Sequence, residues 1–419
     1  MLNQPPRERE WLAWLAVAAW TLAIYLAIPL ARAIQSWVTE HWGRAAFLHG
    51  VFAALAAGAG LALLGLARSR GPGRGRAAAW VAGVAILYAF LSWRLRANPE
   101  EAVHFIEYGV LGFLLFRAFS HRVRDPLVYL AAGWLGAILG TTDEIIQWMT
   151  PRRVFGLRDV WLNVQAVGLV QVLLAAGLRP ACVRGPVAAR SVRLVGGLGV
   201  AHLALLALCL SNTPPRVERY TLRWPVLEPL RRAYSMMAEY GYRHTDPEVG
   251  VFFSRFSRED LRSLDRARVE EVAARLAEFR DPGRYEEFLR TWTPVTDPFT
   301  HEARVHLFRR DANAARAWAM RGDPEALRGH ATVAWRENRL LELYFGNALR
   351  LSGCVLPDRV ARLLDEHHDP ARPYTSPVSA SLITRLTERQ VREIFLVGML
   401  ILFLAERWAV RVIRNRGRA

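Results

Sequence analysis

The sequence predicts an all-α integral membrane protein of about eight transmembrane helices, with an extracytoplasmic all-α domain before the last helix. Three observations predict it. Residues 1–211 and 391–410 are mostly apolar, whereas 212–390 are charged, and most of the 38 acidic residues lie in or beside that charged region. The apolar parts divide into segments at about 11–30, 46–66, 77–93, 102–119, 127–147, 159–178, 192–211 and 391–410. These approach the ~20 residues that an α-helix needs to cross a bilayer. Finally, the connecting arginines fall into two unequal sets.

The first segment, 11–30, also has the outline of a signal peptide, because Ala31-Arg32-Ala33 resembles a small-residue cleavage site. Its apolar core is longer than such peptides carry, so an uncleaved anchor is expected. Orientation follows from the arginines. The two termini and the loops around 67–76, 117–126 and 179–193 are Arg-rich. The alternate short connections hold Arg32, Arg44, Arg94, Arg96, Arg152, Arg153 and Arg158. Positive loops stay inside, so both termini are expected in the cytoplasm and 212–390 outside it. Trp37, Trp42, Trp93, Trp148 and Trp161 then fall at outer helix ends, as an interfacial aromatic belt requires.

The net charge of +17 does not point to nucleic acid, since its excess arginines sit in short loops between apolar segments. The GPGRGR run at 71–76 lacks the Lys-Ser/Thr of a phosphate loop and reads as a tight cytoplasmic turn. Cys182, Cys209 and Cys354 form neither a disulfide framework nor a metal cluster. His244, His301, His306, His367 and His368 show no zinc-binding spacing and read as solvated or core histidines. No cofactor follows from the sequence.

The charged domain reads as helical. Residues 257–279 open on Ser257 and carry apolar residues at helical spacing. Further helices are expected after Asp281-Pro282, Asp297-Pro298 and Asp323-Pro324, with Asp at the N-cap and Pro at N1. Residues 323–351 read as one long helix, and another is expected to run from about Ser379 into the last span. Residues 243–256 read as an irregular loop, and no alternating strand pattern is visible. The organisation is therefore 1–99, N-terminal transmembrane helices; 100–178, a transmembrane core; 179–211, a loop and the seventh span; 212–390, the helical domain; and 391–419, the last span with a basic tail.

Within the core, the stretch 141–163 packs Asp143, Glu144, Arg152, Arg153, Arg158 and Asp159 between two apolar helices. Charges at the edge of membrane-spanning sequence are expensive, which makes them candidates for function. The preceding span opens with His104, Glu107 and Tyr108, on one helical face at spacings of three and four. Asp143, Glu144 and Gln147 repeat that spacing, and Asp159 and Asn163 are four apart. Three helices thus bring polar groups to one depth. The plain alternative is a set of caps and ion pairs, with Asp159 an N-cap and Arg152 or Arg153 neutralising Asp143 and Glu144. Together, an imidazole, carboxylates, an amide and guanidinium groups suit an anionic ligand and acid–base chemistry.

The runs HFIEYGVLGFLLF, TTDEIIQWMTPRR and LRDVWLNVQAVG resemble the VanZ-like membrane proteins over about residues 100–178. On that resemblance the motif residues are His104, Glu107, Tyr108, Asp143, Glu144, Gln147, Pro151, Arg152, Asp159 and Asn163. Gln165 and Gly168 stand where the family more often has a Gly soon after the Asn. The resemblance implies a role in the bacterial cell envelope and names no reaction.

The expected function is an outer-face site of the bacterial inner membrane that binds a phosphorylated or carboxylated envelope component such as a lipid-linked precursor, with its modification there an open second step. His104, Glu107, Asp143 and Glu144 are its candidate catalytic residues. Tyr108, Gln147, Arg152, Arg153, Asp159 and Asn163 are its candidate ligand contacts. Membrane lipids are the expected partners. The rival is a non-catalytic scaffold whose helical domain recruits an envelope partner. A transporter is disfavoured, because no internal repeat or paired broken helices are visible.

Overall fold

The computed structural model describes residues 9–68, 73–151, 153–232 and 236–416, without the side chain at 232. Arg152 and the first two residues of the 71–76 turn lie outside them. The chain divides into two compact units, one of residues 1–209 and 392–419 and one of residues 210–391.

The first unit consists of α1 (Glu10–Ala27), α2 (Ala31–Trp42), α3 (Ala45–Arg68), α4 (Arg74–Arg94), α5 (Val103–Phe119), α6 (Leu127–Met149), α7 (Leu157–Val172) and α8 (Ala189–Leu210), with the chain's last helix. A 3₁₀ turn, Pro99–Ala102, leads into α5, and a π turn, Leu173–Leu178, ends α7. Gly73, at φ 85°, turns the chain into α4 through backbone that favours glycine.

Helix α5 is the hub, packing against α1, α3, α6 and α7. Its Phe105, Tyr108, Leu111, Leu115 and Phe116 are almost wholly inaccessible. Elsewhere the bundle turns apolar side chains outward: Leu61, Ile86, Leu208 and Leu26 are all more than half exposed. That inversion fits a lipid solvent and not water. Polar side chains cross-link the helices through backbone carbonyls. Tyr25 Oη on α1 donates to Leu139 O at 2.8 Å, and Trp20 Nε1 donates to Glu107 O at 2.9 Å.

All eight expected apolar segments are helical. Among the described residues, six stretches are long and apolar enough to cross a membrane: α1, α3, α4, Pro99–Phe119, Leu157–Leu178 and α8. The two others are helices diluted by polar residues: α6 ends in Thr141, Thr142, Asp143 and Glu144, and the last helix contains Glu406, Arg407 and Arg411. This composition is that of a helical membrane protein. One helix was not expected: α2 was read as connecting loop, being short and strongly amphipathic.

The second unit holds α9 (Pro214–Arg223), a 3₁₀ segment (Pro225–Arg232), the strands β1 (Tyr242–Asp246) and β2 (Gly250–Ser254), and a group of helices. These are α10 (Arg258–Ala267), α11 (Val269–Glu278), α12 (Tyr285–Thr291), α13 (Pro298–Ala319), α14 (Pro324–Tyr344), α15 (Gly346–Leu351) and α16 (Asp358–His367). The last helix, α17 (Glu388–Arg416), begins in this unit and runs into the first.

The expected caps are present. Ser257 and Asp260 form a reciprocal capping box, and Asp297 and Asp323 accept from backbone N–H groups of α13 and α14. Several extents differ from expectation. The 257–279 helix is two, broken at Arg268, whose guanidinium reaches Asp297 at 2.9 and 2.7 Å. The 323–351 helix breaks at Phe345. The last helix starts at Glu388 and not near Ser379, which sits at φ 55°.

The domain is also not all helix. Residues 243–256, read as an irregular loop, form an antiparallel hairpin with His244 opposite Phe252. Its turn is held by Asp246 Oδ1, which accepts from Glu248 N at 2.9 Å and Val249 N at 3.2 Å. Gly250 has φ 95°, and a Cβ there would meet Tyr374 O at 2.5 Å. Only glycine satisfies both demands.

His301 accounts for one pH effect in this unit. Burial, with the Arg255 charge nearby, pushes its imidazole down from 6.5 to about 4. Between those values the unfolded chain takes up a proton that the folded chain does not. Stability is therefore complete above pH 6.5 and falls as pH drops toward 4. His301→Gln in the full-length protein should remove about 2 kcal/mol of that fall, read as a flatter profile of thermal midpoint against pH. An unchanged profile would contradict the assignment.

Candidate functional site

The site starts from the ends of three helices. Val103 opens α5 directly from the Pro99–Ala102 turn, which carries Glu100 and Glu101. The spacing of His104, Glu107 and Tyr108 places all three toward α1 and α6, with the His104 and Tyr108 rings 6.2 Å apart. His104 Nδ1 lies 3.7 Å from Glu107 Oε2, close for an ion pair and too long for a hydrogen bond.

The last two turns of α6 supply Asp143, Glu144 and Gln147, all buried. Gln147 Nε2 donates to Glu144 Oε1 at 2.8 Å and approaches Asp143 Oδ2 at 3.5 Å. Glu144 Oε2 accepts from Gly156 N at 3.2 Å, which ties the end of α6 to the start of α7. Arg153 of the joining loop donates through Nη2 to Gln147 Oε1. In the alternative reading Arg152 or Arg153 neutralises Asp143 and Glu144; Arg153 hydrogen-bonds a neutral amide while its charge still acts on both carboxylates, and Arg152 lies outside the described residues.

Asp159 is not the N-cap of α7. Gly156 takes that position, and Asp159 lies in the first turn, where a carboxylate meets the positive end of the helix dipole. Asn163 Nδ2, one turn on, donates to Gly140 O at 3.3 Å.

A cavity of about 400 Å³ opens among these groups. His104, Glu107, Asp143, Gln147, Arg153 and Asp159 line one part of it. Ile24, Ala27, Ile28, Ala31, Ile34 and Phe47, from α1 to α3, line the other. Tyr108, Glu144 and Asn163 are buried outside the lining. The Tyr108 hydroxyl faces Asp143 but makes no hydrogen bond of good geometry. Among the described residues, His104 Nδ1, Asp143 Oδ1 and Asn163 Oδ1 are likewise buried without a hydrogen-bond partner.

Sequence reasoning missed part of the wall. Glu100 and Glu101 line the cavity, as does Gln35 of α2. Gln35 Nε2 donates to Glu100 Oε1 at 3.0 Å, Arg44 Nη2 donates to the same oxygen at 2.8 Å, and Arg158 Nη2 stands 3.2 Å from Glu101 Oε2. The signal available was the Asn98-Pro99-Glu-Glu run, a helix start with acids in its first turn. Among the described residues no group of three or more His, Cys, Asp or Glu is placed to hold a metal ion.

A family model described as VanZ/LLP1 matches residues 74–176, which span α4 to α7. The chain carries a VanZ-like domain. No curated protein and no solved structure matches the chain.

The VanZ-like domain opens earlier than the polar motifs suggested, taking in α4. The reason is visible in the packing. Tyr88 Oη of α4 donates to Ala166 O of α7 at 2.5 Å, and its ring meets Phe105 of α5 edge-on at 5.5 Å. One tyrosine in an apolar helix is a faint sequence signal.

Glycines bring the helices of the VanZ-like domain together. A Cβ on Gly136 would lie 2.8 Å from Val167 Cγ1, and one on Gly140 would lie 2.8 Å from Asn163 Cβ. On α5, a Cβ at Gly112 would lie 3.2 Å from Val167 Cα. Gly168 has nothing within 4 Å. The close approach expected of a glycine after Asn163 is supplied instead by glycines on α5 and α6.

Proposed function

We propose that the VanZ-like domain binds and modifies a phosphorylated or carboxylated amphiphile of the bacterial cell envelope, such as a lipid-linked precursor, at the outer face of the inner membrane. One observation carries this reading. The cavity joins an apolar wall to a polar one in which buried His104 Nδ1 and Asp143 Oδ1 have no hydrogen-bond partner among the described residues. A buried unpaired polar atom costs about 1–3 kcal/mol, and a polar ligand would recover that cost.

Arg153, with Arg152, holds the anion in this reading. His104, Glu107 and Asp143 exchange protons with the bound group, while Tyr108, Glu144, Gln147 and Asn163 fix the helices around them. Asp159 adds a carboxylate at the cavity edge. The membrane topology proposed with it has eight spans, α6 and α17 among them, both termini in the cytoplasm and residues 212–390 outside. The arginine asymmetry of the loops supports that orientation.

Native mass spectrometry of the purified protein with its co-purifying lipids tests the reading. An anionic lipid should be retained by the wild type and reduced at least about tenfold in an Arg152→Gln/Arg153→Gln double variant, the loss expected when charge-assisted hydrogen bonds go. His104→Ala should keep the lipid and abolish its conversion. Equal retention of the same lipids by wild type and double variant overturns the anion site.

A further inference from the structure

The charges around the cavity are not those of a simple anion site. Its lining holds more carboxylates than guanidinium groups. Some of those carboxylates are already answered: Glu100 by Arg44 and Gln35, Glu101 by Arg158. Asp159 rests in the first turn of α7. Glu107 and Asp143 remain. Glu107 meets the His104 ring at 3.7 Å, and Asp143 has the long contact from Gln147 at 3.5 Å and the Tyr108 hydroxyl facing it. The two are near enough to interact electrostatically. Asp143 is 1% exposed, and its Oδ1 has no partner among the described residues.

Beside them, Arg153 donates to the neutral amide oxygen of Gln147; among the described residues no carboxylate is within ion-pair distance of it, although its charge acts on Asp143 and Asp159. The cavity therefore presents the Arg153 guanidinium and a pair of carboxylates to the same space, with Arg32, which has a partner of its own, also in its lining. Burying either uncompensated is costly. A ligand with a negative and a positive group answers both.

We propose that the ligand is a zwitterionic lipid whose headgroup carries a phosphate and a primary ammonium. The phosphate meets Arg153, and the ammonium donates to Asp143 Oδ1 and Glu107. This rests on the anion-binding reading above and narrows it. An ammonium has three donors and no acceptor, which matches two acceptor-only carboxylates. The apolar wall formed by Ile24, Ile28, Ile34 and Phe47 favours a lipid over a free phosphoamine of the same headgroup chemistry. The two carboxylates would disfavour phosphatidic acid, whose phosphate has nothing to offer them.

The full-length protein, delipidated in detergent, is incubated with equimolar phosphatidylethanolamine and phosphatidic acid of identical acyl chains and examined by native mass spectrometry. The phosphatidylethanolamine adduct should dominate. Asp143→Asn and, independently, Glu107→Gln should each lower that adduct about tenfold relative to phosphatidic acid, the cost of one charge-assisted hydrogen bond. Arg153→Gln should lower both adducts. The two carboxylate variants, each checked for an unchanged thermal midpoint, guard against simple unfolding.

If phosphatidic acid binds as well as phosphatidylethanolamine and neither carboxylate variant changes the ratio, the zwitterion is wrong although the anion site stands. If Arg153→Gln leaves both adducts intact, both readings fall. In a separate arm O-phosphoethanolamine is offered alone, and no adduct is expected. An adduct as abundant as the lipid's overturns the assignment to a lipid.

Discussion

Glu337→Ala should destabilise the second unit by about 3–5 kcal/mol, the range for breaking a buried ion pair by removing one partner. Glu337, on α14, and His306, on α13, are both fully buried, and Nδ1 lies 2.6 Å from Oε2. The other carboxylate oxygen accepts from Arg309 Nε at 3.1 Å, Ser376 Oγ at 2.8 Å and Tyr374 Oη at 2.5 Å. Burial works against the charge, yet His306 and the Tyr374 and Ser376 hydroxyls hold the carboxyl below its ordinary value. One side chain thereby fastens the two longest helices of the unit to the strand-like segment after α16. Alanine leaves the buried Ser376 hydroxyl and His306 imidazole, and the half-buried Tyr374 and Arg309 donors, without their acceptor. For a unit of this size each kcal/mol moves the thermal midpoint by about 2–4 °C, so a fall on the order of 10 °C is expected. Glu337→Gln, which keeps the volume and one acceptor, should fall between. A loss below about 1 kcal/mol for the alanine variant would mean that water reaches the network and satisfies it.

What the sequence made legible follows from which forces act locally. Apolar length is a local property, so α1, α3 to α8 and the apolar part of α17 could be read directly. Helix starts at Ser257, Asp297 and Asp323 could be read because a cap is a contact over three residues. The hairpin could not. Its five-residue strands are stabilised by pairing with each other and with Tyr374 to Ser376, more than a hundred residues away. The break at Arg268 was hidden for the same reason, since Asp297 lies on another helix. The polar core of the site stood out because His104, Glu107, Asp143 and Glu144 are rare residues in apolar sequence. Glu100, Glu101, Gln35 and Arg44 did not, because they sit in connections where charge is ordinary. The alternative that Asp159 is an N-cap rests on residue type alone, and the loop geometry gives that position to Gly156. The composition of a site is thus visible in a membrane sequence, while the partner of each charge depends on loops that pattern does not resolve.

The polar residues are held at one depth by the glycines beneath them, and this makes Gly140→Val the more telling substitution in the membrane unit. Even a Cβ at Gly140 falls 2.8 Å from Asn163 Cβ and 3.3 Å from Tyr108 Cε1, and valine adds two methyl groups. Helix α7 must move out or α6 must rotate. Either movement breaks the bond from Asn163 Nδ2 to Gly140 O and draws Gly156 N away from Glu144 Oε2. Overpacking of this kind costs about 1–3 kcal/mol, so the protein should still fold in detergent with a lowered midpoint. Its retained lipid should drop further than that cost alone explains, because Tyr108 and Glu144 stand directly behind the cavity wall. Gly133→Ala and Gly168→Ala are the controls, since a Cβ at either meets nothing within 4 Å; both should keep lipid and stability within about 0.5 kcal/mol of wild type. Lipid retained at wild-type level by Gly140→Val would show that the cavity tolerates separation of α6 from α7, and the ligand would then have to be held by α1, α2 and α5 without them. Lipid lost in Gly140→Val but kept in both controls would tie binding to the close α6–α7 contact, in which Gly156 fixes Glu144, Gln147 bridges Glu144 to Arg153, and Arg153 meets the anion.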